Sequence, residues 1–502
     1  MASTGLRQCI RDVTAYLVFL IFVSTLGPLQ FGFHLSELNA PQDVITCANK
    51  AAAEKVASSV NTNLPQCIPM NEAQFAALSS AYVVGGFVGA LFAGPTSTGY
   101  GRLWAMRITS VFFILGSSLE ALAGTVPIMS IGRFLSGVGG GASTVIVPLY
   151  ISEVAPPKER GLFGSMTQVT INIGILITQT LGFFLSKGSL WRMILAAGSG
   201  LGLLQLLGLF FVPESPAWLA THNQTSKAMS TLQRIRGSRT SIAEEIQHWD
   251  TAEINKSNPE QESLIQEDPI TPSRLSPPPK ASIAPIGFFA IIVDPHYRSA
   301  IIAVLGIMFA QQLCGINSVM MYSVSLLKGV VSMSSSALTI LISLINLFTT
   351  VACAPLADKI GRKACLLLSI FGMGTSSLLL AISLRMEIKF LSAVSVLLFV
   401  AFFATGLGPV PFMMASELVG QEAVGATQSW ALAGNYAATF LVAQFFPIVN
   451  TWLNTWLGGK GWVYFGFTGL AALSFLFVVG FVPETRGKKD ADEVWGRERR
   501  VD

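Results

Sequence analysis

Apolar residues in this chain gather into stretches of about 20, the length that carries an α-helix across a bilayer, and the stretches recur along the whole sequence. Twelve stand out, near 13–34, 74–94, 106–124, 127–150, 163–185, 191–212, 298–325, 335–357, 364–385, 391–415, 427–449 and 462–482. Composition agrees: 51% of residues are hydrophobic and 12% are charged, against about 25% charged in a soluble domain. One soluble core cannot absorb that much apolar side chain. The 46 glycines and 33 phenylalanines suit packed membrane helices instead. The net charge of +4 gives no basis for nucleic-acid binding. An all-α, multi-pass membrane protein is the expectation.

Val13 to Phe33 is too long for a signal-peptide core and lacks a cleavage site, so it is kept as a span. Arg102, Lys158, Arg160, Lys359, Arg362, Lys363, Arg486, Lys488 and Lys489 then fall on one side of the membrane. The positive-inside rule makes that side, with both termini, cytoplasmic, in a plasma or vacuolar membrane. The expected division is an N-terminal six-helix bundle (1–212), a cytoplasmic segment (213–297), a C-terminal six-helix bundle (298–482) and a tail (483–502). Within the central segment, 224–236 and 241–249 read as short amphipathic helices and 257–282 as a flexible linker. The sequons at Asn223 and Asn255 are silent in that placement.

The two halves repeat each other. Arg102 and Arg362 are 260 positions apart, Glu153 and Glu417 are 264 apart, and Glu214 and Glu484 are 270 apart. Duplicated six-helix units put a solute site between them, near the midplane. Cys314, Cys353 and Cys365 read as small hydrophobes, and no metal or redox spacing is present. Cys47 and Cys67 share one hydrophilic loop. They form a disulfide if that loop faces an oxidising space, and stay free thiols otherwise. His34, His222, His248 and His296 are dispersed with no nucleophile–base pattern, which argues against an enzyme.

Several motifs now carry a family resemblance. They are Gly27-Pro-Leu-Gln-Phe-Gly-Phe33, Asn39-Ala-Pro41, Gly132-Arg133-Phe134 and Pro148-Leu-Tyr-Ile-Ser-Glu153 with Arg160-Gly161. Pro213-Glu-Ser-Pro216, Gln311-Gln-Leu-Cys-Gly-Ile-Asn317, Asp358-Lys-Ile-Gly-Arg-Lys363 and Pro483-Glu-Thr-Arg-Gly487 follow in order. From about residue 14 to 488 the chain resembles the sugar-porter family of the major facilitator superfamily, most closely its glucose-transporter branch. The resemblance implies the major facilitator fold, twelve transmembrane helices in two bundles. It also implies transport of glucose or a related hexose without a cofactor.

The residues of the interior fit that expectation. A neutral, hydroxyl-rich solute needs partners that donate and accept hydrogen bonds without net charge, as Asn and Gln amides do. Gln168, Gln311, Gln312, Asn317, Asn346 and Asn435 lie in apolar spans. One alone would read as glue between helices; six at positions resembling the family's sugar ligands read as a binding path. Tyr322 looks like an outer-gate tyrosine. Pro409 and Pro411 resemble the family's broken tenth helix, since proline removes backbone hydrogen bonds. Phe412 stands where many glucose transporters have tryptophan, and Ala404 replaces an acidic residue.

Coupling is the open question. Proton-coupled sugar porters resemble one another in an Asp at the position of His34, paired with an Arg matched by Arg133; facilitative carriers have Asn there. His34 fits neither, though a neutral imidazole hydrogen-bonds much as an amide does. Glu37 and Glu120 are the nearby carboxylate candidates. Facilitated diffusion is the expectation, with proton symport as the alternative. A non-transporting sugar sensor is the second alternative, disfavoured by the short tail after Phe481. On the cytoplasmic side Glu153, Glu214, Glu417 and Glu484 are expected to pair with Arg102, Arg160 and Arg362 and tie the halves together when the cavity opens outward, with Asp358 completing the second-half motif. The first-half motif is degraded, with Thr98 and Gly99 in place of charged residues.

Overall fold

A computed structural model describes residues 14–47, 64–156, 160–237, 242, 245–246, 289–320, 335–354, 356–420, 423–488 and 491–496. Tyr322, the end of the seventh predicted span, most of 241–249, the 257–282 segment and Asn255 lie outside them. So do the side chains of Arg160 and Asp358.

The helices are α1 (Ala15–Ser36), α2 (Glu72–Tyr100), α3 (Arg102–Leu122), α4 (Val126–Val154), α5 (Arg160–Leu185) and α6 (Trp191–Gly208) in the first half. The second half has α7 (Pro295–Leu313), α8 (Ser335–Cys353), α9 (Arg362–Arg385), α10 (Lys389–Thr405), α11 (Val424–Leu457) and α12 (Trp462–Phe481). Among the described residues ten spans are long and apolar enough to cross a membrane, counting α7 on to Met320 and α10 on to Glu417 across their breaks. The other two, α6 and α8, fall in sequence where the sixth and eighth spans were expected. Short helices Pro216–Thr221 and Thr225–Arg236 follow α6.

Local chemistry sets the helix ends. Thr14 accepts a hydrogen bond from the Leu17 amide at the start of α1. Asn71 and Gln74 close a reciprocal capping box on α2. Asp294 caps α7 with Pro295 at its first position. Two helices are broken where the chain lacks regular backbone bonding. α7 stops at Cys314 and Gly315, whose φ is +99°, and resumes over 316–320. α10 gives way at Gly406 to Pro409 and resumes as the helix Val410–Glu417. The break falls on the Pro-rich stretch, as the resemblance implied.

Each half is a bundle. α2 packs closely on α4, α1 on α5, and α3 on α4 and α6; α9 packs on α10 and α12, and α7 on α11. The bundles meet along α2 with α11 and α5 with α8. These two pairs exchange under a shift of six helices, as an internal repeat requires. The repeat extends to atomic detail. Gly101 and Gly361 adopt φ values of +99° and +114° before α3 and α9, a region open to glycine. A side chain on either would run into the carboxylate of Glu214 or Glu484. In the loop between α1 and α2, a disulfide joins Cys47 to Cys67 with their Cα atoms 5.3 Å apart.

Candidate functional site: an amide-lined cavity between the bundles

A cavity opens where the two bundles face each other, bordered by α1, α2, α5, α7, α8, α10 and α11. Its volume is about 80 Å³, several times the roughly 10–15 Å³ that one water needs. Among the described residues that line it none is charged. Phe31, Tyr82, Phe403, Phe412 and Tyr436 give it apolar faces, and amides supply the polarity. Gln168, Gln311, Gln312, Asn317, Asn346 and Asn435 all line this one space.

Four of the six form a network in the second bundle. Gln311 Nε2 donates to the carbonyls of Leu407 at 2.5 Å and Gly408 at 3.2 Å. It thereby satisfies backbone that the break in α10 leaves free, which buried non-helical backbone requires. Gln311 Oε1 accepts from Asn435 and, at 3.2 Å, from Gln312. Gln312 also donates to Asn435 Oδ1 at 3.1 Å, and Asn317 donates to Gln312 Oε1 at 2.5 Å. Pro409 and Pro411 therefore act through the backbone: they hold open the break whose carbonyls fix Gln311. Phe412 follows directly and presents a ring where an indole was the family pattern.

The remaining two amides belong to a second cluster across the seam. Gln168 Nε2 and Asn346 Nδ2 both donate to Asn172 Oδ1, at 3.4 and 3.3 Å. Asn172 Nδ2 donates to Thr350 Oγ1 at 2.8 Å. Sequence reasoning passed over Asn172, Thr350 and Thr439, the last of which accepts from Asn317 at 3.3 Å. Their signal was available: Asn172, Thr350 and Thr439 lie four residues after Gln168, Asn346 and Asn435, hence on the same helix faces. Tyr436, buried at the bundle seam, has its hydroxyl 3.4 Å from Thr144 Oγ1.

The coupling candidates assemble away from the cavity wall, inside the first bundle. His34 Nδ1 is 2.9 Å from Glu37 Oε2, and His34 Nε2 is 3.2 Å from Ser117 Oγ. Arg133 Nη1 donates to the His34 carbonyl at 2.8 Å and to Glu37, and lies 3.8 Å from Glu120 Oε2. Glu120 Oε1 accepts from Ser136 at 2.7 Å. The guanidinium also rests 4.7 Å from the centroid of the ring of Tyr82, itself a lining residue of the cavity. All four side chains are at most 1% exposed. Ligand atoms of His34, Glu37 and Glu120 lie within 4.8 Å of one another, and Arg133 supplies the positive charge among them.

At the helix ends beside the central segment the charges do something other than expected. Arg102 grips Glu153 through Nε at 3.0 Å and Nη2 at 2.8 Å. Arg362 grips Glu417 through Nε at 3.2 Å and Nη2 at 3.0 Å. Each pair ties helices of its own bundle and does not join the halves in this structure. Glu214 and Glu484 do not engage arginine side chains as their main partners. Glu214 accepts from the backbone amides of Arg102 at 2.9 Å and Leu103 at 3.0 Å. Glu484 accepts from those of Arg362 at 2.9 Å and Lys363 at 3.1 Å. A carboxylate at a helix N-terminus meets unsatisfied amides and the positive end of the dipole. Burial still pushes the Glu214 carboxyl above its ordinary pKa, with these hydrogen bonds acting against the rise. Thr98 donates its hydroxyl to the Gly94 carbonyl at 3.0 Å and offers its own carbonyl to the Trp218 indole at 2.8 Å.

Comparison with known proteins places this geometry. The family described as "Sugar (and other) transporter" matches residues 20–491. A probable metabolite transport protein of Saccharomyces cerevisiae is 32% identical over 99% of this chain and 98% of its own length. A sheep (Ovis aries) protein, solute carrier family 2, facilitated glucose transporter member 3, is 29% identical over 95% of this chain and 91% of its own. Among solved structures, the xylose transporter of E. coli in a partially occluded inward-open conformation superposes with a TM-score of 0.72. It is 23% identical and covers 95% of this chain and 100% of its own, a likeness of fold.

Proposed function

The chain belongs to the sugar-transporter family, and from that premise we propose that it carries glucose or a related neutral hexose across a membrane by alternating access. It acts as a facilitative carrier and not as an enzyme. The observation that carries this reading is the uncharged, amide-lined cavity at the seam of the bundles. Amides suit hydroxyls in both hydrogen-bonding senses, and the aromatic faces suit the apolar faces of a sugar ring. A charged solute would find no counter-charge among the described lining residues. Gln168, Gln311, Gln312, Asn317, Asn346 and Asn435 are the ligands in this reading, and rocking of 1–212 against 298–482 exposes them alternately. Both termini and the 213–297 segment face the cytoplasm, in a plasma or vacuolar membrane, as the basic residues at the helix ends support.

Facilitated diffusion is favoured because His34, Glu37, Glu120 and Arg133 are buried, closed on one another and not among the residues that line the cavity. A second reading, proton symport, is favoured by one feature of the same cluster. Two carboxylates face one guanidinium, and a proton would offset the surplus buried charge. Labelled glucose uptake into proteoliposomes under an inside-alkaline pH gradient separates the two. A rise to equilibrium and no further supports the facilitative carrier, and a transient overshoot supports symport. Absence of uptake for every hexose tried overturns both.

A further inference from the structure

We propose that Asn172 is a specificity-determining residue of this carrier: with Asn346 it takes one substrate hydroxyl between them, across the seam of the two bundles. The inference rests on the sugar-carrier reading and adds to it a contact that the six expected amides do not include.

The geometry starts from α5 and α8, which face each other across the seam. Asn172 and Asn346 both line the cavity and are 1% and 2% exposed. Asn172 Nδ2 is anchored on Thr350 Oγ1 at 2.8 Å, and Thr350 donates its own proton to the Asn346 carbonyl at 2.8 Å. The anchor fixes the amide plane of Asn172. Its oxygen then accepts from Asn346 at 3.3 Å and Gln168 at 3.4 Å, both long for an N–H···O bond. Asn346 Oδ1 has no hydrogen-bond partner among the described residues. A buried acceptor without a donor is costly, and here it belongs to a side chain in the cavity wall. One group answers both features. A hydroxyl donates to Asn346 Oδ1 and accepts from the second N–H of Asn172 Nδ2, whose first goes to Thr350. A methylene in its place leaves the acceptor unmet, so the pair discriminates hydroxylated from deoxygenated solutes.

The test is competition against labelled glucose uptake by the full-length protein in proteoliposomes, with a panel of monodeoxy hexoses. For the wild type, one deoxy position is expected to weaken competition by about tenfold or more. In Asn172→Leu, glucose itself weakens by about that factor while the matched deoxy sugar does not, so their ratio falls towards one. Thr350→Val removes the anchor but leaves both amides, and keeps a ratio well above one. Should Asn172→Leu fail to insert, Asn172→Ser, with its shorter reach, is read by the same ratio. A uniform loss for glucose and every deoxy sugar, with the ratio unchanged, marks Asn172 as structural and overturns the proposal. A wild type that transports none of these sugars overturns the carrier reading and this inference together.

Discussion

Replacing Gln311 with leucine keeps volume while removing both ends of the amide that holds the second-bundle network together. In the structure that amide donates to two carbonyls in the break of α10 and accepts from Gln312 and Asn435. Gln312 retains a bond to Asn435 Oδ1, but Asn435 Nδ2 keeps only a weak contact of 3.6 Å to the Met308 sulfur. A buried polar group left without its partner costs about 1–3 kcal/mol. The variant is therefore expected to unfold at a lower temperature in detergent. Loss of a neutral hydrogen bond to the solute is worth about 0.5–1.5 kcal/mol, or about 2- to 12-fold in affinity. The two effects have separate readouts: the thermal midpoint of purified protein, and KM for hexose uptake per inserted molecule. An unchanged midpoint with an unchanged KM would refute the reasoning on both counts.

Further outcomes follow from other parts of the molecule. Gly101→Ala and Gly361→Ala should each destabilise the protein by about 1–2 kcal/mol, because the left-handed backbone and the abutting carboxylate both oppose a side chain; an unshifted thermal midpoint contradicts this. A double-mutant cycle on Arg102→Ala and Glu153→Ala should return about 1 kcal/mol of coupling, since the bidentate pair is largely but not wholly buried; purely additive effects count against the pairing. Cys47 and Cys67 should resist alkylation until the protein is reduced, and labelling without reductant would contradict the disulfide. His34→Asn should keep equilibrative uptake, because an amide can replace the ring's hydrogen bonds to Glu37 and Ser117; loss of a pH-driven overshoot in that variant would instead speak for symport.

How far the sequence could be read depends on the kind of signal. Spans were legible because run length alone reports a membrane helix, yet their ends were not. α2 runs on to Tyr100 and α11 to Leu457, past the polar and aromatic residues at which an apolar count stops. The break in α10 was legible because Pro409 and Pro411 cannot complete a helical ladder. Partners separated in sequence were the obscure part. Glu214 faces α3 through backbone amides, which carry no sequence signature, so side-chain charge suggested a guanidinium where Arg102 offers its amide. Ser117 and Ser136, which complete the His34 and Glu120 contacts, come from α3 and α4 and look like ordinary small residues of a helix interface. Asn172 was hidden by its neighbour: Gln168 matched the family pattern and drew the reading to itself.

The central claim is that one cavity, exposed in turn to either side, carries a hexose. Counterflow tests it most directly: proteoliposomes loaded with unlabelled glucose are diluted into a trace of labelled glucose. A carrier with a single alternating site predicts transient accumulation of label above its equilibrium level, abolished by Gln311→Leu with Asn317→Ala. Label that enters no faster than into protein-free vesicles, with no transient for any hexose, would contradict it.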